Sequence, residues 1–167
     1  MNFRIFNYRI PITLLFLCAL TFAGEFIPYI SPGLMLAWNS RKIQTINLKI
    51  GAGVAYNPTQ HHAADMGFVN LTFGKRTCIE QTFSNLDYRY LDVEGGLFKG
   101  FFVGGSAIGL AFYKEENGKT TPVPKVGLFA GDIVFVRTDI VFRKDKKDID
   151  IGGMLVLPIN QYVFKAW

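Results

Sequence analysis

The sequence predicts an all-β chain: a closed antiparallel up-and-down β-barrel of about eight strands, built from residues 24–167. Three observations predict it. Apolar residues alternate with polar or very small ones in segment after segment, and no window sustains a helical period. Turn-forming clusters fall between the alternating segments. The chain is 50% hydrophobic, yet beyond its first two dozen residues it contains no long apolar run, so its apolar surface is spread over every second position.

The exception is the start. Arg4 and Arg9 are basic, an apolar stretch runs from Ile10 to Phe22, and Thr21, Phe22 and Ala23 ahead of Gly24 resemble a small-residue cleavage site. The charge-free window over residues 10–24 is shorter than the roughly 20 residues a spanning helix needs. Residues 1–23 are therefore expected to be an export signal, and residues 24–167 the exported domain.

Charge and cysteine content exclude several classes. The formal net charge is +5, and Arg4 and Arg9 would leave with the signal. Both signs are scattered along the chain, so no nucleic-acid footprint is present. The basic cluster at Arg143, Lys144, Lys146 and Lys147 is interrupted by Asp145 and reads as a solvated turn. Of the two cysteines, Cys18 lies in the signal, and Leu15, Phe16 and Leu17 before it lack the small residue of a lipoprotein signal. Cys78 is left alone, so the exported domain has no internal disulfide and no cysteine-built zinc or iron–sulfur centre.

The strands follow in order. The expected list is 26–38, 42–56, 66–74, 77–90, 92–99, 101–114, 121–142 with a break near Gly131, and 147–157, with an extended tail over 159–167. In the second, Ile46, Leu48, Ile50, Ala52, Val54 and Tyr56 share one face, and Asn47, Lys49, Gly51, Gly53 and Ala55 share the other. Val69, Leu71 and Phe73 alternate with Asn70 and Thr72. Ile108, Leu110 and Phe112 oppose Gly105, Ala107, Gly109 and Ala111. Val134, Val136, Thr138, Ile140 and Phe142 oppose Arg137 and Asp139. Ile149, Ile151, Leu155 and Leu157 oppose Asp148, Asp150 and Gly152. Turns are expected at Asn39, Ser40 and Arg41, over 57–65, at Gly74, Lys75 and Arg76, at Asn117 and Gly118, and over 143–147.

The second face decides which side meets water. A soluble β-domain turns its apolar face inward and shows Lys, Glu, Asp and Thr outside. Here the second face is often Gly or Ala, which suits the crowded lumen of a small barrel. Lys49, Arg89, Arg137 and Asp139 are then expected to point inward as a mutually neutralising charge network. Tyr29, Trp38, Tyr56, Phe83, Tyr88, Tyr113, Phe142 and Tyr162 fall near strand ends, where membrane barrels carry aromatic girdles.

With the signal, the alternating strands, the aromatic placement and the terminal Trp167 in hand, the chain resembles the small bacterial outer-membrane β-barrel proteins as a class. Many of these end in an aromatic residue with apolar partners at alternate positions. Ile159, Val163 and Trp167 keep that phase, whereas Gln161 and Lys165 depart from it and Pro158 interrupts the last strand. The resemblance implies a bacterial outer-membrane location, membrane lipid as a partner, and an envelope protein as a possible further one.

Catalytic patterns are weak. Ser106 lies in a glycine-rich stretch that is not the Gly-x-Ser-x-Gly elbow, with no helix after it. His61 and His62 are adjacent in a loop and would point apart. Asp92 with Glu94, and Asp148 with Asp150, share strand faces, and in a lumen or near a rim such carboxylates pair with Arg and Lys. No catalytic, cofactor-binding or metal-ligating residue is assigned, and no cofactor is expected. Asn70, Leu71 and Thr72 match a glycosylation sequon, but within a strand. The leading expectation is a non-enzymatic outer-membrane barrel with a structural, surface or partner-binding role. The alternatives are a soluble periplasmic or secreted lipocalin-like barrel that binds a small apolar ligand, and a lipid-modifying barrel enzyme.

Overall fold

The computed structural model describes residues 25–57, 65–99, 102–115, 118–144 and 146–159. The expected export signal, His61, His62, Tyr162 and the terminal Trp167 lie outside the described residues.

Eight antiparallel strands close into a barrel in simple up-and-down order: β1 Glu25–Asn39, β2 Gln44–Asn57, β3 Asp65–Cys78, β4 Tyr88–Lys99, β5 Phe102–Lys114, β6 Thr120–Gly131, β7 Val134–Phe142 and β8 Lys147–Val156. Each strand pairs with its neighbour in sequence, and β1 closes on β8 through residues 33–39 against 150–156. Closure leaves no free sheet edge along the shared ladder. One end of the barrel carries the start of β1, the end of β8 and the β2–β3, β4–β5 and β6–β7 connections, and is called the terminal end below. The opposite end carries the other turns.

Those turns follow local chemistry. At the β1–β2 turn the Asn39 Oδ1 accepts hydrogen bonds from the backbone N–H of Arg41 at 2.8 Å and of Ile43 at 2.9 Å, and Lys42 takes a positive φ of 62°. The β5–β6 hairpin closes with Glu115 N–H on Lys119 O at 2.8 Å, and Gly118 supplies the left-handed φ of 81° that the tight turn needs.

The eight-strand count is as expected, but the partition differs between residues 77 and 99. Residues 77–90 and 92–99 are not two strands. β3 continues through Gly74, Lys75 and Arg76 to Cys78, a 3₁₀ segment kinked at Phe83 spans Gln81–Leu86, and β4 is one strand. Residues 121–142 break near Gly131 as expected, into two strands that turn at Asp132 and Ile133. The expected turn at 74–76 is strand because Lys75 and Arg76 keep the alternation, Lys75 exposed and Arg76 buried, in register with Leu48 and Asn47 of β2.

Prolines fall where ladders are one-sided. β6 pairs with β5 along its length but with β7 only from Lys125 onward, and Pro122 and Pro124 occupy the part beyond β7. Proline has no N–H to give a ladder, so such positions tolerate it.

The lumen is filled in layers. At the terminal end Met35, Ala37, Val103, Phe129, Phe135 and Met154 form an apolar cluster, with Phe68, Phe98 and Val156 against it. At the opposite end Tyr88, Tyr90, Ala111, Tyr113 and Val141 pack together. Ile43, Cys78, Leu86 and Phe83 form a small cluster of their own, the last two from the 3₁₀ helix. The charged residues lie in the lumen between these apolar groups.

Candidate functional site

The charges at the centre of the lumen come from inward positions of four strands, β2, β4, β6 and β7. Arg137 of β7 is the centre. Its Nε donates to Asp139 Oδ1 at 2.9 Å, its Nη2 to Asp92 Oδ2 at 3.2 Å, and its Nη1 to Glu94 Oε1. Lys125 of β6 bridges Asp139 Oδ1 at 3.0 Å and Asp92 Oδ2. Lys49 of β2 donates to both oxygens of Glu94, at 3.0 and 2.9 Å. Three cations thus face three carboxylates, all buried, with no charge in excess among them. Balance is required here, because an unpaired charge in a water-poor interior is costly.

Tyrosines extend the network toward the opposite end. The Tyr90 hydroxyl donates to Asn47 Oδ1 at 2.8 Å, and the Lys125 ammonium sits 4.4 Å from the Tyr90 ring centre. Beyond it, Arg76 donates to Asp150 Oδ1 at 2.8 Å and to Leu86 O at 2.7 Å, and Tyr88 donates to Asp150 Oδ2 at 3.3 Å. At the rim Arg41 and Arg143 lie 3.5 and 3.2 Å from Asp148.

Of the four residues expected in the network, Lys49, Arg137 and Asp139 come together in the lumen. Arg89 does not. It is exposed on the outer face of β4, because Tyr88 and Tyr90 on either side of it point inward and parity sends Arg89 outward. It stands opposite Lys75 of β3 and Phe112 of β5. Asp92 and Glu94 turn their shared face to the lumen. Lys125 and Arg76 are lumen charges that the sequence expectation does not include. Lys125 follows two prolines that obscure the alternation of β6, although Gly127 and Phe129 share its face. Arg76 falls in the turn expected at Gly74, Lys75 and Arg76, which is strand.

The other candidates separate. Ser106 is exposed on the outer face, on the same side as Ile108 and Leu110, away from every lumen charge. Asn70 of the sequon is buried and donates to Ser31 Oγ at 2.9 Å and Thr72 Oγ1 at 3.0 Å, so its side chain is engaged in the lumen. Of the expected girdle aromatics, Trp38, Tyr56 and Phe142 point outward. Tyr88 and Tyr113 are buried in the lumen, Tyr29 shares the inward parity of Ile27 and Ser31, and Phe83 belongs to the 3₁₀ helix. No group of three or more His, Cys, Asp or Glu side chains with metal-binding geometry occurs among the described residues.

The outer face is apolar through its middle. Leu34, Leu36, Leu48, Ile50, Val69, Leu71, Leu91, Val93, Ile108, Leu110, Leu128, Val134, Val136 and Ile151 are all exposed there, on all eight strands, with Leu48 at 59%, Val136 at 63% and Ile108 at 68%. Charged outward side chains sit near the two ends: Lys75 and Arg89 toward the end opposite the termini, Lys99 at the terminal end.

No protein-family model matches the chain, and no curated protein matches its sequence. Two solved structures are similar to it in fold. One, described as "De novo design of transmembrane beta-barrels", is 11% identical, with a TM-score of 0.35, covering 77% of this chain and 95% of the other. The second, a solution NMR structure of the de novo designed TMB2.3, is 12% identical, with a TM-score of 0.35, covering 77% of this chain and 94% of its own. The residues and geometry above, and not these likenesses, support the reading that follows.

Proposed function

We propose that this chain is a transmembrane β-barrel of the bacterial outer membrane, exported by residues 1–23, with a structural, surface or partner-binding role that involves no catalysis. One observation carries the membrane reading: a continuous belt of exposed Leu, Ile and Val on all eight strands surrounds a lumen that holds the charged side chains. In water that belt would exceed by far the few hundred Å² of contiguous apolar surface a soluble monomer exposes. In a bilayer it is the favourable surface, and the closed ladder satisfies the backbone groups that hydrocarbon cannot. Strand lengths agree. β7 has 9 residues and β1 has 15, against the roughly 9–11 that cross a bilayer at a tilt.

The packed charge and tyrosine layers argue for a plugged lumen and against a general pore, as in other barrels of eight strands. The belt also weighs against the soluble, lipocalin-like alternative. The test is partition. The exported protein should float with outer-membrane vesicles, resist carbonate extraction, and have an intact mass that starts near Gly24. A detergent-free soluble monomer would overturn the reading.

A further inference from the structure

The outer wall carries an unbalanced charge cluster at the end opposite the termini. Lys75 of β3 stands directly opposite Arg89 of β4, and both side chains are exposed. Directly opposed residues on one face have Cβ atoms about 5 Å apart, and like charges so placed repel. Arg89 also stands opposite Phe112 of β5, so Lys114, two positions farther on and exposed, is its diagonal neighbour. Long side chains reach across such a diagonal. Three cations on three consecutive strands thus share one patch. Among the described residues, none of their side chains makes an ion pair or a hydrogen bond. The acids of the same strands and turns are placed otherwise. Asp87 accepts the Cys78 N–H at 2.8 Å, Glu115 accepts the Thr121 hydroxyl, and Glu80 lies in the β3–β4 connection.

The cluster marks the edge of the apolar belt. On β4 the outward positions between Arg89 and Lys99 are Leu91, Val93, Gly95 and Leu97, with no charge among them. A strand of that length, tilted at about 40°, rises about 25 Å, the height of a membrane barrel's apolar band. Arg89 and Lys99 thus stand at its two rims. Next to the cluster toward the middle of the wall, Phe73, Leu91 and Leu110 lie side by side across β3, β4 and β5, all exposed.

We infer that Lys75, Arg89 and Lys114 form a site for the phosphate of an anionic membrane lipid, whose acyl chains lie on Phe73, Leu91 and Leu110. The inference rests on the membrane reading and deepens it, naming one lipid class and one place on the wall. A phosphate shared among the three cations relieves their repulsion, and the Arg89 guanidinium can grip it through two N–H groups. A zwitterionic headgroup fits less well, because its own ammonium already offsets its phosphate. A free phosphate ion would be held weakly, since these cations are exposed to water and salt. The chains make the difference. Hydrocarbon holds them against the apolar row, and the headgroup is then kept at the level of the cluster.

The full chain is refolded into phosphatidylcholine vesicles that contain a trace of phosphatidylglycerol with a diazirine high in its acyl chain, and the adducts are mapped by peptide mass spectrometry. Adducts should concentrate on Phe73, Leu91 and Leu110 over Leu36 and Ile151, which face outward on β1 and β8 across the barrel. Excess unlabelled phosphatidylglycerol should remove them. Lys75→Gln, Arg89→Gln and Lys114→Gln should each weaken the preference about fivefold. Lys99→Gln, at the other rim, should leave it unchanged. Lys75→Glu turns the repelling pair into an attracting one, so it should raise the urea midpoint in pure phosphatidylcholine vesicles while weakening the preference further. A lowered midpoint would show that the two cations do not repel and would overturn the site. Even labelling around the barrel, or adducts that survive loss of all three cations, would mean boundary lipid only and would overturn it too. Displacement by millimolar inorganic phosphate or polyglutamate would show a site for a soluble anion or an acidic chain, and the lipid assignment would fall. A chain that floats with the vesicles and resists carbonate yet labels evenly loses the site alone. A chain that does not float loses the membrane reading and the site with it.

Discussion

Lys49 of β2 and Glu94 of β4 meet across the lumen, the ammonium 3.0 and 2.9 Å from the two carboxylate oxygens, although β3 lies between their strands in the barrel wall. Glu94 Oε1 also receives Arg137. Removing one member leaves the buried network one charge out of balance, so Lys49→Met or Glu94→Gln should each cost about 3–5 kcal/mol of folding free energy. The double variant should cost clearly less than the sum. Urea titrations in lipid vesicles measure all three, and strict additivity would show that the pair is not energetically coupled.

Arg89 should behave oppositely, since it stands outside the barrel. Arg89→Gln combined with Asp139→Asn should be additive to within about 0.5 kcal/mol. Lys125→Met combined with Asp139→Asn should show an interaction of about 0.5–3 kcal/mol, because the two groups are 3.0 Å apart. A strong Arg89 coupling would mean that β4 is out of register.

Arginine at the belt tests its solvent. Leu48→Arg, Leu110→Arg and Val136→Arg place a charge on exposed positions of β2, β5 and β7. Each should cost about 2–4 kcal/mol near the bilayer midplane and less toward the ends. Folding titrations in vesicles give the values. Unchanged stability at all three positions would mean that the belt faces water.

Gly74 is the flat spot on which the Tyr90 ring lies. A Cβ added there would overlap the ring, which is held at its other points by Asn47 and Lys125. Gly74→Val should therefore cost about 1–3 kcal/mol by overpacking. Adding Tyr90→Leu should recover part of the overpacking cost. No recovery would place the strain in the β3 backbone and not at the ring.

Several levels of this fold were legible without coordinates, because each is a local property. Alternation along residues 44–57 and 134–142 assigned inside and outside correctly at nearly every position, since a pleated strand has only two faces. The inward course of Lys49, Arg137 and Asp139 followed from the same parity. Where parity had to be carried through a wrongly placed turn, it failed. Ending a strand at 74 hid Arg76, and reading Tyr88 as a girdle residue left its neighbour Arg89 on the inward face, whereas Tyr88 and Tyr90 are the buried pair. The aromatics show a similar limit. Nearness to a strand end does not tell whether a tyrosine faces lipid or lumen, so Tyr88 and Tyr113 read as girdle but form the inner stack.

By itself, then, the sequence determined the barrel class, the number of strands, and which residue types line which face. These depend on the two-residue period and on turn chemistry within a few positions. Only the closed tertiary structure decided the partners. Lys49 with Glu94, Arg76 with Asp150, and Lys125 with Asp92 are pairings across a lumen between strands not adjacent in the wall. Which charges meet there depends on strand tilt and stagger around the whole ring, a property of eight strands at once and of none singly.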